Sequence, residues 1–154
     1  MKMLLSDIFD ERLITLDLKG ADKNAVFEEL IAQISSVKPE LSKEEMLNAI
    51  ISREAKMPTS IAHGVAIPHG YFHGFSGIIG AMGFSRKGID YEANDNKPVH
   101  LVFMLLLGDD AREQHLHVLS RILSFVKYGA LSYIGEAENP KKAYAMLCKA
   151  GGSK

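Results

Sequence analysis

The chain has a single cysteine, Cys148, so it holds no intrachain disulfide framework and no cysteine-based metal motif. It has almost no net charge. Eighteen basic and nineteen acidic side chains sum to −1, which leaves out the broad basic surface of a nucleic-acid binder or of a protein held to an anionic membrane. Long apolar runs are missing too: the longest, Val99–Leu107, is nine residues with His100 inside it, against the roughly 20 that a spanning helix requires. The opening MKMLLSDIFDERL carries acids too early for a secretory signal. These absences predict a cytoplasmic protein with no direct membrane insertion and no nucleic-acid partner. There is no HExxH, no phosphate-cradling GxxxxGK followed by Ser or Thr, and no Gly-x-Ser-x-Gly elbow, so three common enzyme classes lose their signatures.

The 154 residues, 47% hydrophobic and 24% charged, suit one globular domain over 1–154. Residues 13–18 alternate in the period of a half-buried strand. Asp22 is placed to cap a helix with Val26, Phe27, Leu30, Ile31 and Ile34 on its apolar face, and Ser42 with Glu45 forms a capping-box pair for a second helix ending near residues 53–56. Residues 61–67 and 76–85 read as strands, with a turn at Arg86-Lys87-Gly88 and a further extended piece at 89–92. Val99–Leu107 reads as a central strand covered on both faces. A long helix should start at Asp110, paired with Glu113, and Asn139-Pro140 should open a final one to about residue 149. With no repeat, low-complexity tract or linker, the pattern predicts an α/β fold with helices on both faces of a mixed sheet.

The most informative stretch runs over residues 53–74, REAKMPTSIAHGVAIPHGYFHG. Pro68 fixes its own φ and pushes Ile67 towards an extended conformation, while glycines at 64, 70 and 74 permit tight turns or close approach of a bound group. That context presents the imidazole of His69. Arg53, Thr59 and Ser60, just upstream, are candidate anion-binding donors. A second histidine, His115, heads an apolar spacing through Leu119, Ile122 and Val126, so it is expected to face the sheet while His117 faces water. It also lies near a helix N-terminus, where unpaired N–H groups favour a phosphate.

Blander readings stand beside these. His63, His73, His100 and His117 read as structural, Arg53 as a cation satisfying the C-terminal end of its helix, and the methionines as core filler. His69 and His73, four apart, leave a zinc site as an outside reading, with His63, a metal-dependent hydrolase in that case.

Arg53-Glu54, Thr59 and the run Gly64-Val65-Ala66-Ile67-Pro68-His69-Gly70 resemble the phosphorylation-site signature of enzyme IIA of the sugar phosphotransferase system, in its fructose, mannitol and nitrogen-regulatory class. The C-terminal half agrees: Val99–Leu107, then Glu113-Gln114-His115-Leu116 and Leu119, Ile122, Leu123, is similar to that family's second-histidine helix. The resemblance implies a three-layer fold with a mixed sheet of about five strands. It implies that His69 is phosphorylated as a tele-phosphohistidine intermediate, with His115 as its neighbour and Arg53 and Thr59 holding the phosphoryl oxygens. No cofactor or metal is implied. The donor would be HPr or its nitrogen-branch homologue. The next partner would be a IIB component of a sugar permease or, in the regulatory branch, a kinase or transporter subunit whose binding depends on phosphorylation. The sequence departs from the family pattern at Ser60, Ala62 and His63, which bears on loop geometry and partner choice.

Overall fold

The computed structural model describes residues 4–61 and 63–150. Its elements are α1 (Leu5–Ile8), β1 (Phe9–Thr15), α2 (Lys23–Val37), α3 (Lys43–Lys56), β2 (Ser60–Ile61), β3 (Val65–Ala66), β4 (His69–Tyr71), β5 (Ile78–Ile89), β6 (Val99–Leu107), α4 (Arg112–Tyr128), α5 (Ala130–Gly135) and α6 (Pro140–Ala150). One mixed sheet runs in the order β1-β5-β6-β3-β2, with β4 also paired to β6. β6 lies parallel to β3 and β4 and antiparallel to β5, while β1 lies parallel to β5.

β6 is apolar on both sides because both sides are covered. Leu101, Phe103, Leu105 and Leu107 pack with α1, α4, α5 and α6, whereas Val102, Met104 and Leu106 pack with α2 and α3. This is the expected three-layer α/β arrangement.

The sheet has six strands where about five were expected, and the differences have local causes. Residues 61–67 do not form one strand. β2 and β3 make a hairpin, Ser60 against Ala66 and Ile61 against Val65, whose turn places His63 (φ 69°) and Gly64 (φ 82°) in the left-handed region. Of the sequence's departures from the family pattern, Ala62 lies outside the described residues. Pro68, with no N–H to give, separates β3 from β4. The opposite happens in β5, where Arg86-Lys87-Gly88 is no turn: a register shift between Phe84 and Ile89, with Gly88 at φ 95°, keeps both pieces in one strand. β1 begins four residues earlier than the alternation suggested, because Phe9 packs over Gly80, where a Cβ would lie 2.7 Å from the ring.

Both predicted caps on α2 and α3 form: Asp22 accepts from the N–H of Ala25 at 2.9 Å and Ser42 from that of Glu45 at 3.2 Å. The Asp110 cap does not. Asp110 accepts from the N–H of Gly77 at 2.7 Å instead, and α4 starts at Arg112 without a side-chain cap. α4 stops at Gly129 (φ 121°), and the short α5 follows before α6, which Asn139 caps through the N–H of Lys142 at 2.9 Å.

Candidate functional site

His69 opens β4, in register with Leu105 of β6, and so shares the face of the sheet that α4 covers. Gly70 faces the other way. There α3 lies so close that a Cβ would fall 2.6 Å from the carbonyl oxygen of Ala49, so only glycine lets the helix sit on this strand. The His69 ring is half-buried, and its Nδ1 lies 2.8 Å from the carbonyl oxygen of Ile67. A carbonyl only accepts. Nδ1 therefore carries the proton, and Nε2 keeps its lone pair for an electrophile.

The second ring is His115, on the first turn of α4. Its centroid is 4.9 Å from that of His69, with the planes inclined at 55°. The edge of α4 carries it: the stripe sunk in the core is Val118, Ile122 and Phe125, while His115, Leu119 and Val126 flank it. His115 thus meets the sheet as its spacing predicts, with the centre of the buried stripe one position away from the predicted one. Tyr71 stands edge-on to His115 at 6.1 Å, and the Arg112 guanidinium lies 5.6 Å over the Tyr71 ring. The Nε2 of His115 is buried without a protein partner among the described residues. His117, expected in water, is half-buried and accepts from the Nε–H of Arg121 at 3.2 Å.

Burial pushes the proton affinity of both rings below the ordinary value of 6.5, since a charged imidazole is poorly solvated there. For His69, the Ile67 carbonyl pulls upward and the Arg53 charge downward; for His115, the charges of His69 and Arg53 both add to the depression. Two neutral imidazoles beside a cation result.

Arg53 itself reaches from the last turn of α3 to donate to the carbonyl oxygen of Met57 at 2.9 Å, the bland role expected of it, while its field reaches both histidines. Thr59 is buried, and its hydroxyl is turned inward. It donates to Glu54 Oε1 at 2.5 Å and lies 2.7 Å from the Tyr91 hydroxyl, while the Thr59 N–H donates to Glu54 Oε2 at 3.1 Å. The Oγ of Ser60 is buried with no partner among the described residues, on the α2 and α3 side of the sheet with Ala66.

The other histidines scatter. His63 is exposed at the hairpin turn, His73 sits against Asp109 at 2.7 Å on the surface, and His100 donates to the Ser85 carbonyl at 2.8 Å. Among the described residues no three His, Cys, Asp or Glu side chains gather in a way that holds a metal ion, so His63, His69 and His73 do not make the site of the hydrolase reading. Among the same residues no helix is long and apolar enough to cross a membrane.

Sequence reasoning gave no role to Glu54, Tyr91, Lys23 or Tyr71. Glu54 had a signal: Met46, Ile50 and Glu54 follow at i, i+4, i+8, so the spacing that buries the first two buries the third. Tyr91 and Lys23 had none, because their meeting with Glu54 is long-range.

A nucleophilic nitrogen with a fixed tautomer, a second neutral imidazole and a guanidinium is a set suited to receiving a phosphoryl group. The family model described as "Phosphoenolpyruvate-dependent sugar phosphotransferase system, EIIA 2" matches residues 7–149. Over 120 residues, 78% of its length, the chain is 31% identical to the fructose-specific EIIABC component of the phosphotransferase system of Bacillus subtilis, of which it spans 19%. It is 30% identical over 125 residues to a nitrogen regulatory protein of Bradyrhizobium diazoefficiens, covering 81% of each chain. The crystal structure of nitrogen regulatory protein IIA-Ntr from Neisseria meningitidis superposes with a TM-score of 0.85 at 29% identity, over 93% of this chain and 98% of that one. A match that takes in every strand of the sheet and both facing histidines places the chain in the EIIA type 2 family of the phosphoenolpyruvate-dependent sugar phosphotransferase system.

Proposed function

We propose that the chain is a cytoplasmic phosphohistidine phosphocarrier in which Nε2 of His69 takes a phosphoryl group from a phosphorylated HPr-type protein and hands it to a IIB partner. The observation that carries this reading is the bond from His69 Nδ1–H to the Ile67 carbonyl, because it leaves Nε2 unprotonated, on a ring whose centroid lies 4.9 Å from that of His115. The Nε2 lone pair forms the new N–P bond as the donor's N–P bond breaks, its electron pair returning to the donor imidazole. Charge spreads over the three equatorial oxygens, so the step needs positioning and positive potential rather than covalent help. Arg53 supplies the potential. The Nε2 of His115, without a partner among the described residues, would donate to a phosphoryl oxygen. Thr59, whose hydroxyl Glu54 occupies, takes a positioning part.

A second reading has its own support. Met57, Tyr71 and Leu116, neighbours in sequence or space of the site, are 63%, 44% and 74% exposed, and a phosphoryl group brings up to two negative charges into that apolar surround. Such a change alters which protein docks there. With the likeness to nitrogen regulatory proteins, this supports a regulator whose phosphorylation state governs binding to a kinase or transporter subunit.

Incubation with phosphoenolpyruvate, enzyme I and HPr is expected to place an acid-labile, base-stable phosphate on His69. Equal labelling of His69→Ala removes the proposal. Passage of the label to a IIB protein supports the carrier role; stable phosphoprotein that binds a kinase or transporter subunit differently from the free form supports the regulatory one.

A further inference from the structure

Glu54, on α3, is 6% exposed, and hydrogen bonds connect its carboxylate step by step to the His69 ring. Glu54 accepts from both the N–H and the hydroxyl of Thr59 at 3.1 and 2.5 Å. The Thr59 carbonyl accepts from the N–H of Ile67 at 3.0 Å. The Ile67 carbonyl accepts from Nδ1–H of His69 at 2.8 Å. Ile67 is thus held at both its polar groups, one anchored to Glu54 and the other fixing the tautomer of the imidazole.

We propose that Glu54 is a positioning residue for phosphoryl transfer, acting through Thr59 and Ile67 to hold His69 with Nδ1 protonated and Nε2 free. The proposal rests on the reading of His69 as the phosphoryl acceptor and adds a buried device that sets its reactivity. The surroundings of Glu54 explain why a carboxylate stands there. Four donors converge on it: the Thr59 N–H, the Thr59 hydroxyl, the Lys23 ammonium at 3.4 Å and the Tyr91 hydroxyl at 3.3 Å, whose one proton is shared with the Thr59 Oγ 2.7 Å away. A carboxylate is acceptor-only and satisfies all four, whereas an amide of the same shape turns two N–H groups towards donors. Lys23 also lies 5.3 Å over the Tyr91 ring, so the buried charge has a cation held by a second contact. Tyr91 comes from the loop after β5, which ties the latch to the rest of the domain.

The test uses Glu54→Gln, Thr59→Val, Thr59→Ser and the double variant Glu54→Gln/Thr59→Val, each checked for cooperative thermal unfolding. Phosphoryl transfer from phosphorylated HPr is followed by rapid quench, and the His69 tautomer is read from its ring 15N shifts. Glu54→Gln and Thr59→Val are each expected to lower kcat about tenfold or more with KM for phosphorylated HPr unchanged, since neither side chain meets the partner. Both should lower the Nδ1–H fraction of His69, and Thr59→Ser, which keeps the hydroxyl, should restore rate and tautomer. The double variant is expected to be no slower than the worse single one, because both changes cut the same chain. Transfer within twofold of wild type in folded Glu54→Gln overturns the proposal, as do losses that multiply in the double variant, which would make Thr59 a separate ligand of the phosphate. If Glu54→Gln does not fold, the Thr59 pair decides alone: Thr59→Val with an unchanged tautomer overturns it. Wild-type protein that takes no label at all removes the reading of His69 instead, so the two failures are distinguishable.

Discussion

β5 and β6 pair over nearly their whole lengths, from Ile78 against Leu107 to Ile89 against Val99, whereas β2, β3 and β4, which lead up to and include His69, are two or three residues each. The long pair is held by a ladder and a two-sided core, so its stability is spread over many interchangeable contacts. The short strands have little ladder to rely on. Each is placed by a few particular contacts: Glu54 on Thr59, Thr59 on Ile67, Ala49 over Gly70, and the His69 ring on Ile67. The molecule separates the region that supplies free energy from the region that supplies geometry, and the two should respond differently to damage.

The largest effect on stability is expected in β6. Phe103 is fully buried and stacks edge-on with both Phe9 and Phe125, so Phe103→Ala should cost about 3–5 kcal/mol in urea unfolding. The folded molecules that remain should accept phosphoryl groups at the wild-type rate. A drop in rate per folded molecule would show that the core strand sets the geometry of the site as well.

Gly70→Ala is expected to do less to stability and more to function. The added Cβ meets backbone atoms of Ala49 at 2.6 and 2.8 Å, which cannot swing aside as a flexible side chain does, so α3 must lift from β4. We expect a loss of about 1–3 kcal/mol and a clear fall in phosphoryl transfer, since Arg53 rides on that helix and His69 adjoins the substituted residue. Unchanged transfer in this variant would sever the link between the helix and the site.

The same division governs what could be read from the chain. Val99–Leu107 was legible as a central strand because nine residues without polar alternation have few other homes, and the caps at Asp22 and Ser42 were legible because a cap involves neighbours in sequence. Asp110 misled because its carboxylate had two partners within reach, and the distant N–H of Gly77 won over the local one. The hairpin of β2 and β3 was hidden because the chain turns at His63, a non-glycine residue at positive φ, inside a run of apolar residues that reads as one strand. At the site, Pro68 and Gly70 announced a presented histidine. The reason for Gly70, however, is the approach of Ala49, which lies 21 positions earlier and leaves no mark beside it. Thr59 was read as a phosphate donor because its hydroxyl is local to the motif, while the burial that turns the hydroxyl onto Glu54 also brings in Tyr91, 32 positions away, which nothing beside the motif announces.

The smallest expected effect concerns protons, and it tests whether the two rings form one unit. Both His69 and His115 bind a proton less readily in the folded chain than at the ordinary 6.5, chiefly because they are buried. The unfolded chain therefore takes up protons first as pH falls. Stability from these rings is fully present above about 6.5 and is lost as pH drops from there through their folded values. His69→Gln and His115→Gln should each flatten that part of the curve of thermal midpoint against pH. The charge of His69 is among the causes that depress His115, so removing it should move the His115 titration back towards 6.5, read directly from its ring proton shifts. A His115 titration that stays where it was in His69→Gln would mean that burial and Arg53 act on it alone, and that rings 4.9 Å apart do not sense each other's charge.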